Sequence, residues 1–300
     1  MTSRTVTVAA VQSTPVFLDR ARTVDVLVGQ IDDAARLGAE LIVFPEAIVP
    51  GYPDWVWRLS AWSDDEWYAR LHDQAVDVPG PVVERLGEAA ARAGAWVVVG
   101  VTERVASGTL YNSLVYLSPD GRLAGVHRKL MPTGGERTVW GQSDGSSSLF
   151  VADTTFGRVG GLICWENLMP LARAAMYERG IDVYVAPTWD NSDAWLSTLR
   201  HIAREGRVFV IGTNTCLRGS DVPRTLPRAA ELYGGDDDWL SRGNSAVIAP
   251  DGTVLAGPLV ERSGMLVVTI DLGQLAIARR QFDPVGHYSR PDILSLQVHR

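Results

Sequence analysis

Three side chains that could carry out covalent catalysis stand at the ends of predicted strands: Glu46, Lys129 and Cys164. A thiol can attack an electrophilic carbon, and a carboxylate can accept the thiol proton and later activate water. An ammonium group can stabilise the negative charge of a tetrahedral intermediate. Because sites in open α/β sheets form at the carboxyl ends of strands, we expect these residues to meet in one site that requires no metal.

The position of Cys164 predicts an activated thiol. It lies between a predicted strand over residues 158–163 and a predicted helix over residues 169–178. The positive end of a helix dipole and a nearby ammonium both lower the pKa of a cysteine. We therefore expect a lowered pKa for Cys164, and we expect the backbone N–H of Trp165 to share the oxyanion with Lys129.

Strand and helix patterns alternate along most of the chain, which is typical of a layered α/β domain with a mixed sheet. Strands are predicted over residues 5–12, 41–44, 96–101, 110–117, 122–128, 158–163, 183–186 and 208–213. Helices are predicted over residues 23–37, 82–92, 169–178 and 194–205. Asp120-Gly121 and Asp251-Gly252 indicate hairpin turns. Since no linker rich in Pro, Gly or Ser divides the chain, residues 1–300 are expected to form one domain.

Residues 218–242 form a long, acidic segment with turn-forming residues, including the run over residues 234–238. Such a segment is typical of a surface insertion or of a loop at an interface. We expect solvent exposure, and the sequence leaves the interface alternative open.

Composition and charge exclude several classes of partner. The net charge is −7, and no Lys/Arg block is longer than two residues, so nucleic acid and anionic lipid are not expected as partners. No apolar run approaches the roughly 20 residues of a membrane helix, and the N-terminus shows no leader pattern, so a cytoplasmic location is expected. Cys164 and Cys216 form neither a disulfide framework nor a zinc motif, so no metal or other cofactor is expected.

Seven short motifs add to this interpretation. In chain order they are Phe44-Pro45-Glu46-Ala47, His127-Arg128-Lys129-Leu130-Met131-Pro132-Thr133, Glu136-Arg137-Thr138-Val139-Trp140-Gly141, Cys164-Trp165-Glu166-Asn167-Leu168-Met169-Pro170, Ala186-Pro187-Thr188-Trp189-Asp190, His201-Ile202-Ala203-Arg204-Glu205-Gly206-Arg207 and Gly286-His287-Tyr288-Ser289-Arg290-Pro291-Asp292. In order and spacing this set resembles the nitrilase superfamily of carbon-nitrogen hydrolases, and within it the true nitrilases. The resemblance covers essentially the whole chain.

The resemblance implies a four-layer αββα sandwich with a catalytic triad of Glu46, Lys129 and Cys164. It places the second glutamate of the family on Glu136, which would orient the lysine or position the attacking water. The implied reaction is hydrolysis of an organic nitrile to the carboxylic acid and ammonia, through a thioimidate and a thioester on Cys164. For Glu166 a structural role and a contact role both remain open, and structure is favoured.

Aromatic residues near these motifs predict the substrate pocket. The chain has ten tryptophans, and Tyr52, Trp165 and Trp189 lie close in sequence to the predicted catalytic positions. A pocket lined by such side chains suits aromatic or arylaliphatic nitriles. Gly134 stands where the family often has histidine, which is expected to widen or loosen the loop near Lys129.

The sequence leaves two other functions open beside the nitrilase hypothesis. An amidase or carbamoyl-amide hydrolase of the same superfamily would use the same triad, and a catalytically silent scaffold or binding protein would keep only the fold. The Cys-Trp-Glu-Asn and His-Tyr-Ser-Arg-Pro-Asp sequences favour nitriles as substrates. The resemblance also implies a homodimer or larger homo-oligomer, and the chain ends shortly after its last motif, so long filaments are not expected.

Overall fold

The computed structural model describes residues 4–146, 148–235 and 237–299. Its strands are β1 Thr5–Gln12, β2 Leu41–Val43, β3 Val76–Asp77, β4 Trp96–Arg104, β5 Leu110–Leu117, β6 Leu123–Arg128, β7 Val151–Asp153, β8 Arg158–Gly161, β9 Val183–Thr188, β10 Phe209–Asn214, β11 Cys216–Arg218, β12 Trp239–Ile248, β13 Val254–Val260 and β14 Gly264–Asp271. Its α-helices are α1 Arg20–Arg36, α2 Asp65–Gln74, α3 Pro81–Ala93, α4 Pro170–Glu178, α5 Asp193–Gly206, α6 Ala229–Leu232 and α7 Gln274–Gln281.

Within the described residues, the strands form two sheets of seven strands each. The first sheet has the order β14-β1-β2-β4-β5-β6, with β3 paired to β4. The second has the order β11-β12-β10-β9-β8-β7, with β13 paired to β12. Both sheets contain parallel and antiparallel pairs. The sequence predicts one mixed sheet, whereas the structure has two, because strand patterns do not reveal which strands pair.

Three hydrophobic cores separate four layers. The central core holds side chains from both sheets, among them Val8 of β1 and Val185 of β9. A second core joins the first sheet to α1 and α3, and a third joins the other sheet to α4 and α5. Leu27 of α1 is fully buried in the second core, and complete burial of a leucine contributes roughly 1.5–3 kcal/mol. These layers confirm the αββα sandwich.

The ends of several predicted elements move for identifiable reasons. Helix α1 begins three residues before the predicted start because Asp19 caps it and accepts a hydrogen bond from the N–H of Arg22 at 3.0 Å. Strand β8 ends at Gly161, two residues before the predicted end. A 3-10 turn over Cys164–Leu168, which was not predicted, fills the space before α4.

The acidic segment over residues 218–242 is only partly exposed. Val222, Ala229 and Tyr233 are buried, and Trp67 of α2 donates a hydrogen bond to the carbonyl of Pro227 at 3.1 Å. The prediction of a solvated loop is wrong at these positions, since apolar side chains anchor the segment. Residue 236 of the predicted acidic run lies outside the described residues. No helix in the described part of the chain is long and apolar enough to cross a membrane.

Candidate active site

Glu46 lies in the loop that follows β2, and the neighbouring strand is shaped to receive it. A Cβ atom on Gly100 of β4 would lie 2.2 Å from the carbonyl oxygen of Pro45 and 2.5 Å from the nitrogen of Ala47. Only glycine therefore allows this loop to approach the strand so closely. The result is a fully buried Glu46 whose Oε1 accepts hydrogen bonds at 2.7 Å from both Asn112 Nδ2 and Lys129 Nζ.

Lys129 follows β6 and joins two carboxylates. Its Nζ donates to Glu46 Oε1 and to Glu136 Oε2, each at 2.7 Å, and its side chain is fully buried. Within the described residues these are its two acceptors, so one of the three N–H donors of the ammonium is left for a bound group. The backbone N–H of Lys129 donates to the carbonyl of Asn112 at 2.8 Å, which fixes the lysine to the sheet.

Glu136 belongs to a short 3-10 turn over Gly134–Thr138. Its Oε2 accepts from the Lys129 ammonium and from the backbone N–H of Thr133, each at 2.7 Å. Its Oε1 accepts from the hydroxyl of Tyr52 at 2.7 Å. Both oxygens are thus engaged by the protein, which suits a residue that holds Lys129 in place.

Cys164 begins the 3-10 turn with a left-handed backbone, at φ 51°. The buried side chain of Asn167 holds this conformation, because its Nδ2 donates to the carbonyls of Cys164 at 2.8 Å and Leu162 at 3.0 Å. The hydroxyl of Thr188 donates to the sulfur of Cys164 at 3.2 Å. In this conformation the sulfur lies within 4.8 Å of carboxylate oxygens of Glu46 and Glu136.

The expectation of a lowered pKa for Cys164 is wrong. Burial raises the pKa of the thiol, the charge of Glu46 raises it further, and the ammonium of Lys129 compensates only in part. The helix premise fails as well, since Cys164 starts a five-residue 3-10 turn and α4 begins only at Pro170. The resting thiol is therefore protonated, and an attack on substrate requires a base to take its proton.

The charges around the thiol favour such a base. Burial raises the pKa of Glu46 above its ordinary value, while the ammonium of Lys129 opposes this shift. Burial lowers the pKa of Lys129, but the charges of Glu46 and Glu136 outweigh burial and leave it raised. A carboxylate with a raised pKa accepts a proton more readily than an ordinary glutamate.

Glu46, Glu136 and Cys164 also place one ligand atom each within 4.8 Å of one another, an arrangement able to hold a cation. The ammonium of Lys129 lies between the two carboxylates and supplies the positive charge there. The second cysteine, Cys216, is buried in β11, and burial raises the pKa of its thiol to about 11. Both cysteines are free thiols.

A cavity of about 940 Å³ opens onto Cys164 and Glu136. All three predicted substrate-binding residues line it. Tyr52 stacks on Trp189 with ring centroids 4.4 Å apart and planes at 6°. Trp165 is half-exposed and its Nε1 donates to Asp190 Oδ2 at 3.0 Å. The cavity wall therefore includes stacked aromatic rings as well as the thiol of Cys164.

Trp57 also lines the cavity, in addition to the three residues that the sequence favoured. Its Nε1 donates to the hydroxyl of Tyr52 at 3.1 Å. A Cβ atom on Gly134 would lie 2.9 Å from the Trp57 ring. The indole ring of Trp57 therefore fills the space that a side chain at position 134 would need.

Glu166 makes structural hydrogen bonds and also lines the cavity beside Cys164. Its Oε1 accepts from the N–H of Leu130 at 2.5 Å, and its Oε2 accepts from the N–H of Ile163 at 2.6 Å. His127 accepts from the N–H of Leu149 at Nδ1, so its Nε2 carries the proton and donates to Glu166 Oε2 at 3.0 Å. Glu166 thus ties the lysine segment to the cysteine turn.

Asn112, Thr188 and Asn167 were missed as site residues, since each acts through a contact that spacing does not reveal. One signal for Lys129 was also passed over. The 28 basic residues of the chain comprise 27 arginines and this one lysine. Because every other basic residue is arginine, the one lysine indicates a position where a compact ammonium is needed in place of a guanidinium.

Comparison with known proteins defines the class of this chain. The family described as "Carbon-nitrogen hydrolase" matches residues 7–280, and the chain therefore belongs to the carbon-nitrogen hydrolase family. Its relatives within this family include proteins named nitrilases. It is 41% identical to "Bifunctional nitrilase/nitrile hydratase NIT4B" of Nicotiana tabacum, over 98% of this chain and 86% of that protein. It is 42% identical to "Nitrilase 1" of Arabidopsis thaliana, over 99% of this chain and 88% of that protein.

Solved structures agree with the fold. A carbon-nitrogen hydrolase from Helicobacter pylori superposes with a TM-score of 0.76 at 20% identity, covering 96% of each chain. Nit3 of Saccharomyces cerevisiae, described as a member of branch 10 of the nitrilase superfamily, gives a TM-score of 0.72 at 18% identity, covering 95% of this chain and 97% of that one. These structures confirm the predicted fold, and the family match together with the relatives named nitrilases confirms the predicted membership of the nitrilase superfamily.

Proposed function

We propose that this protein is a nitrilase, which converts an organic nitrile to the carboxylic acid and ammonia within one domain over residues 1–300 and without a cofactor. One observation carries the proposal: a carboxylate with an open oxygen, bonded to a buried ammonium, lies within 4.8 Å of a thiol that opens onto an aromatic cavity. The identity of about 40% to proteins named nitrilases supports the choice of a nitrile over other carbon-nitrogen bonds.

In the first step the sulfur of Cys164 forms a bond to the nitrile carbon. The thiol proton passes to Glu46, which delivers it to the nitrile nitrogen, so a neutral thioimidate results. Lys129 stabilises the developing negative charge with its remaining N–H donor. Glu136 keeps the ammonium in position through its 2.7 Å bond.

Water completes the reaction in two further steps. Glu46 activates a first water, which adds to the thioimidate carbon to give a tetrahedral species. Expulsion of ammonia from this species leaves a thioester on Cys164, and a second water releases the acid and restores the thiol. Two waters are consumed for each nitrile.

The tetrahedral species has a second way to collapse. If the carbon-sulfur bond breaks before the carbon-nitrogen bond, the product is the amide and the thiol is regenerated. The relatives named bifunctional nitrilase/nitrile hydratase support this branch. We propose the acid as the main product and the amide as a minor one. Chromatography of the products measures the ratio, and amide alone would contradict the acid-forming mechanism.

The cavity supports aromatic or arylaliphatic nitriles as the substrate class. The stacked rings of Tyr52 and Trp189 form an aromatic part of the cavity wall, and Trp165, the residue after Cys164, lines the cavity as well. A substrate ring packed against such a wall gains dispersion and hydrophobic contact. A cavity of about 940 Å³ has room for an aryl group and its substituents.

Labelled water distinguishes a nitrilase from the amidase alternative, which would use the same residues. A nitrile hydrolysed in H₂¹⁸O acquires both carboxylate oxygens from water, so the acid carries two labels. An amide keeps its own oxygen and acquires one label. Two labels with release of one ammonia are expected for a nitrile substrate. No acid from any nitrile in an aromatic, arylaliphatic and aliphatic panel, with acid from the matching amides, would establish the alternative.

We also propose that the protein forms a homodimer or larger homo-oligomer and acts in the cytoplasm. Apolar side chains such as Leu171, Ile277 and Leu294 are exposed, which supports association. Two free cysteines in 300 residues suit a reducing compartment. Light scattering after size-exclusion chromatography tests the first point, and a single peak of monomer mass would contradict it.

A further inference from the structure

We propose that Asn112 is a positioning residue that fixes the Glu46 carboxylate so that its Oε2 atom stays open to receive the proton of Cys164. The inference rests on the proposed function and deepens it. It assigns a task to a residue outside the group formed by Glu46, Lys129, Glu136 and Cys164, and it explains why one oxygen of Glu46 acts as the base.

The two oxygens of Glu46 have different surroundings. Oε1 accepts from Asn112 Nδ2 and from Lys129 Nζ, each at 2.7 Å, so both of its lone pairs are used. Oε2 is buried and has no hydrogen-bond partner among the described residues. The carboxylate is thus engaged on one side and open on the other.

An open carboxylate oxygen in a buried site requires an explanation, because an unsatisfied buried acceptor is costly. The sulfur of Cys164 and a carboxylate oxygen of Glu46 lie within 4.8 Å. The thiol proton, and later a proton of the hydrolytic water, are the donors that Oε2 lacks. If the carboxylate could rotate freely, the ammonium of Lys129 would engage either oxygen and weaken the base.

Asn112 holds both members of the ion pair. It lies on β5, is buried, and donates through its side chain to Glu46. Its backbone carbonyl accepts the N–H of Lys129 at 2.8 Å. The backbone bond survives a change of side chain, so a substitution at this position tests the bond to Glu46 alone.

The electrostatic consequence can be measured as a pH dependence. Burial raises the pKa of Glu46, and the bond from Asn112 is one of the contacts that lower it, along with Lys129. Glu136 and the thiol of Cys164 also face this carboxylate, and both remain unchanged in an Asn112 variant. Loss of the Asn112 donor therefore moves the pKa of Glu46 upward, and the base becomes protonated at a higher pH.

The test is the rate of alkylation of Cys164 by iodoacetamide as a function of pH, followed by intact mass. The sulfur displaces iodide and its proton passes to Glu46, so the acid limb of the profile reports the base. Asn112→Leu keeps the volume without the donor, and Asn112→Ala removes the side chain. The matched control is Thr102→Val, since Thr102 lies opposite Asn112 on β4 and its buried hydroxyl has no partner among the described residues.

We expect wild type and Thr102→Val to share one profile. In both Asn112 variants the acid limb should move up by about one pH unit, so the rate at a pH on that limb should fall about tenfold, as expected for the loss of one charge-assisted hydrogen bond. A folded Asn112 variant with the wild-type profile would overturn the proposal. Thermal unfolding identifies which variants are folded. Because Leu and Ala differ in size, the test can still be made if one of the two Asn112 variants does not fold.

This assay uses no nitrile, so the two proposals fail separately. A wild-type protein that releases no ammonia from nitriles contradicts the nitrilase function. The alkylation profile still decides whether Asn112 positions Glu46.

Discussion

Replacing Lys129 by methionine probes the buried charge network most severely. Its ammonium forms two ion pairs at 2.7 Å with Glu46 and Glu136, and all three side chains are buried. Removing one partner of a buried ion pair destabilises a protein by about 3–5 kcal/mol. At about 2.1 cal/mol/K per residue, the unfolding entropy of 300 residues converts this into a fall in Tm of roughly 5 to 8 °C.

The pH dependence of this loss has a definite sign. Burial raises the pKa of Glu46 and the ammonium of Lys129 opposes this shift, so the pKa of Glu46 rises further when the ammonium is removed. A group whose folded pKa is raised loses its contribution to stability as the pH rises through that pKa. The Tm deficit of Lys129→Met should therefore be larger at about pH 8 than at about pH 5.

Differential scanning fluorimetry at both pH values measures the effect. The double variant Lys129→Met with Glu136→Gln removes one of the two uncompensated charges and should recover part of the Tm but no nitrilase activity. Arg36→Met, which breaks an exposed ion pair with Asp33, should leave Tm nearly unchanged. An unchanged Tm in Lys129→Met, or a deficit that shrinks with rising pH, would refute the electrostatic account of the network.

Three further predictions concern single positions. Gly100→Ala should abolish activity and lower Tm, because the added Cβ would lie 2.2 Å from the carbonyl oxygen of Pro45. Its control is Gly29→Ala in α1, where an added Cβ meets nothing within 4 Å and should raise or preserve Tm. Equal Tm values for the two variants would contradict the close approach at Gly100. Protein labelled with ¹⁵N-lysine should give one side-chain ammonium signal from Lys129 that persists to high pH, and its loss near pH 8 would contradict the raised pKa. Tyr52→Phe keeps the ring stacking on Trp189 but loses the hydrogen bond to Glu136. We expect kcat to fall about tenfold with little change in KM. A change confined to KM would instead assign the Tyr52 hydroxyl to substrate binding.

Local pattern predicts the elements of this fold well. The bounds of β1 and β5 agree with their predicted bounds residue by residue, because alternating or apolar runs of eight residues leave few other interpretations. The division into two sheets was not visible from local pattern, since pairing depends on contacts between distant strands. The αββα arrangement came from the resemblance to the family and not from periodicity.

The site was predicted as far as strand ends allow. The sequence predicts Glu46, Lys129 and Cys164 at the carboxyl ends of strands, and therefore close together. The structure brings them together with Glu136. The pKa of Cys164 was predicted with the wrong sign because burial, which the sequence does not show, outweighs the neighbouring ammonium. Asn112 escaped prediction for the same reason, since its role lies in two contacts made by one buried residue.

Intact mass spectrometry of the wild-type protein and a Cys164→Ala variant tests the central claim most directly. Each protein is mixed with aromatic, arylaliphatic and aliphatic nitriles while ammonia release is followed. The account predicts ammonia and an acyl adduct on wild type only, with the variant folded and inactive. Ammonia release that persists in Cys164→Ala, or neither adduct nor ammonia from any nitrile with wild type, would contradict it.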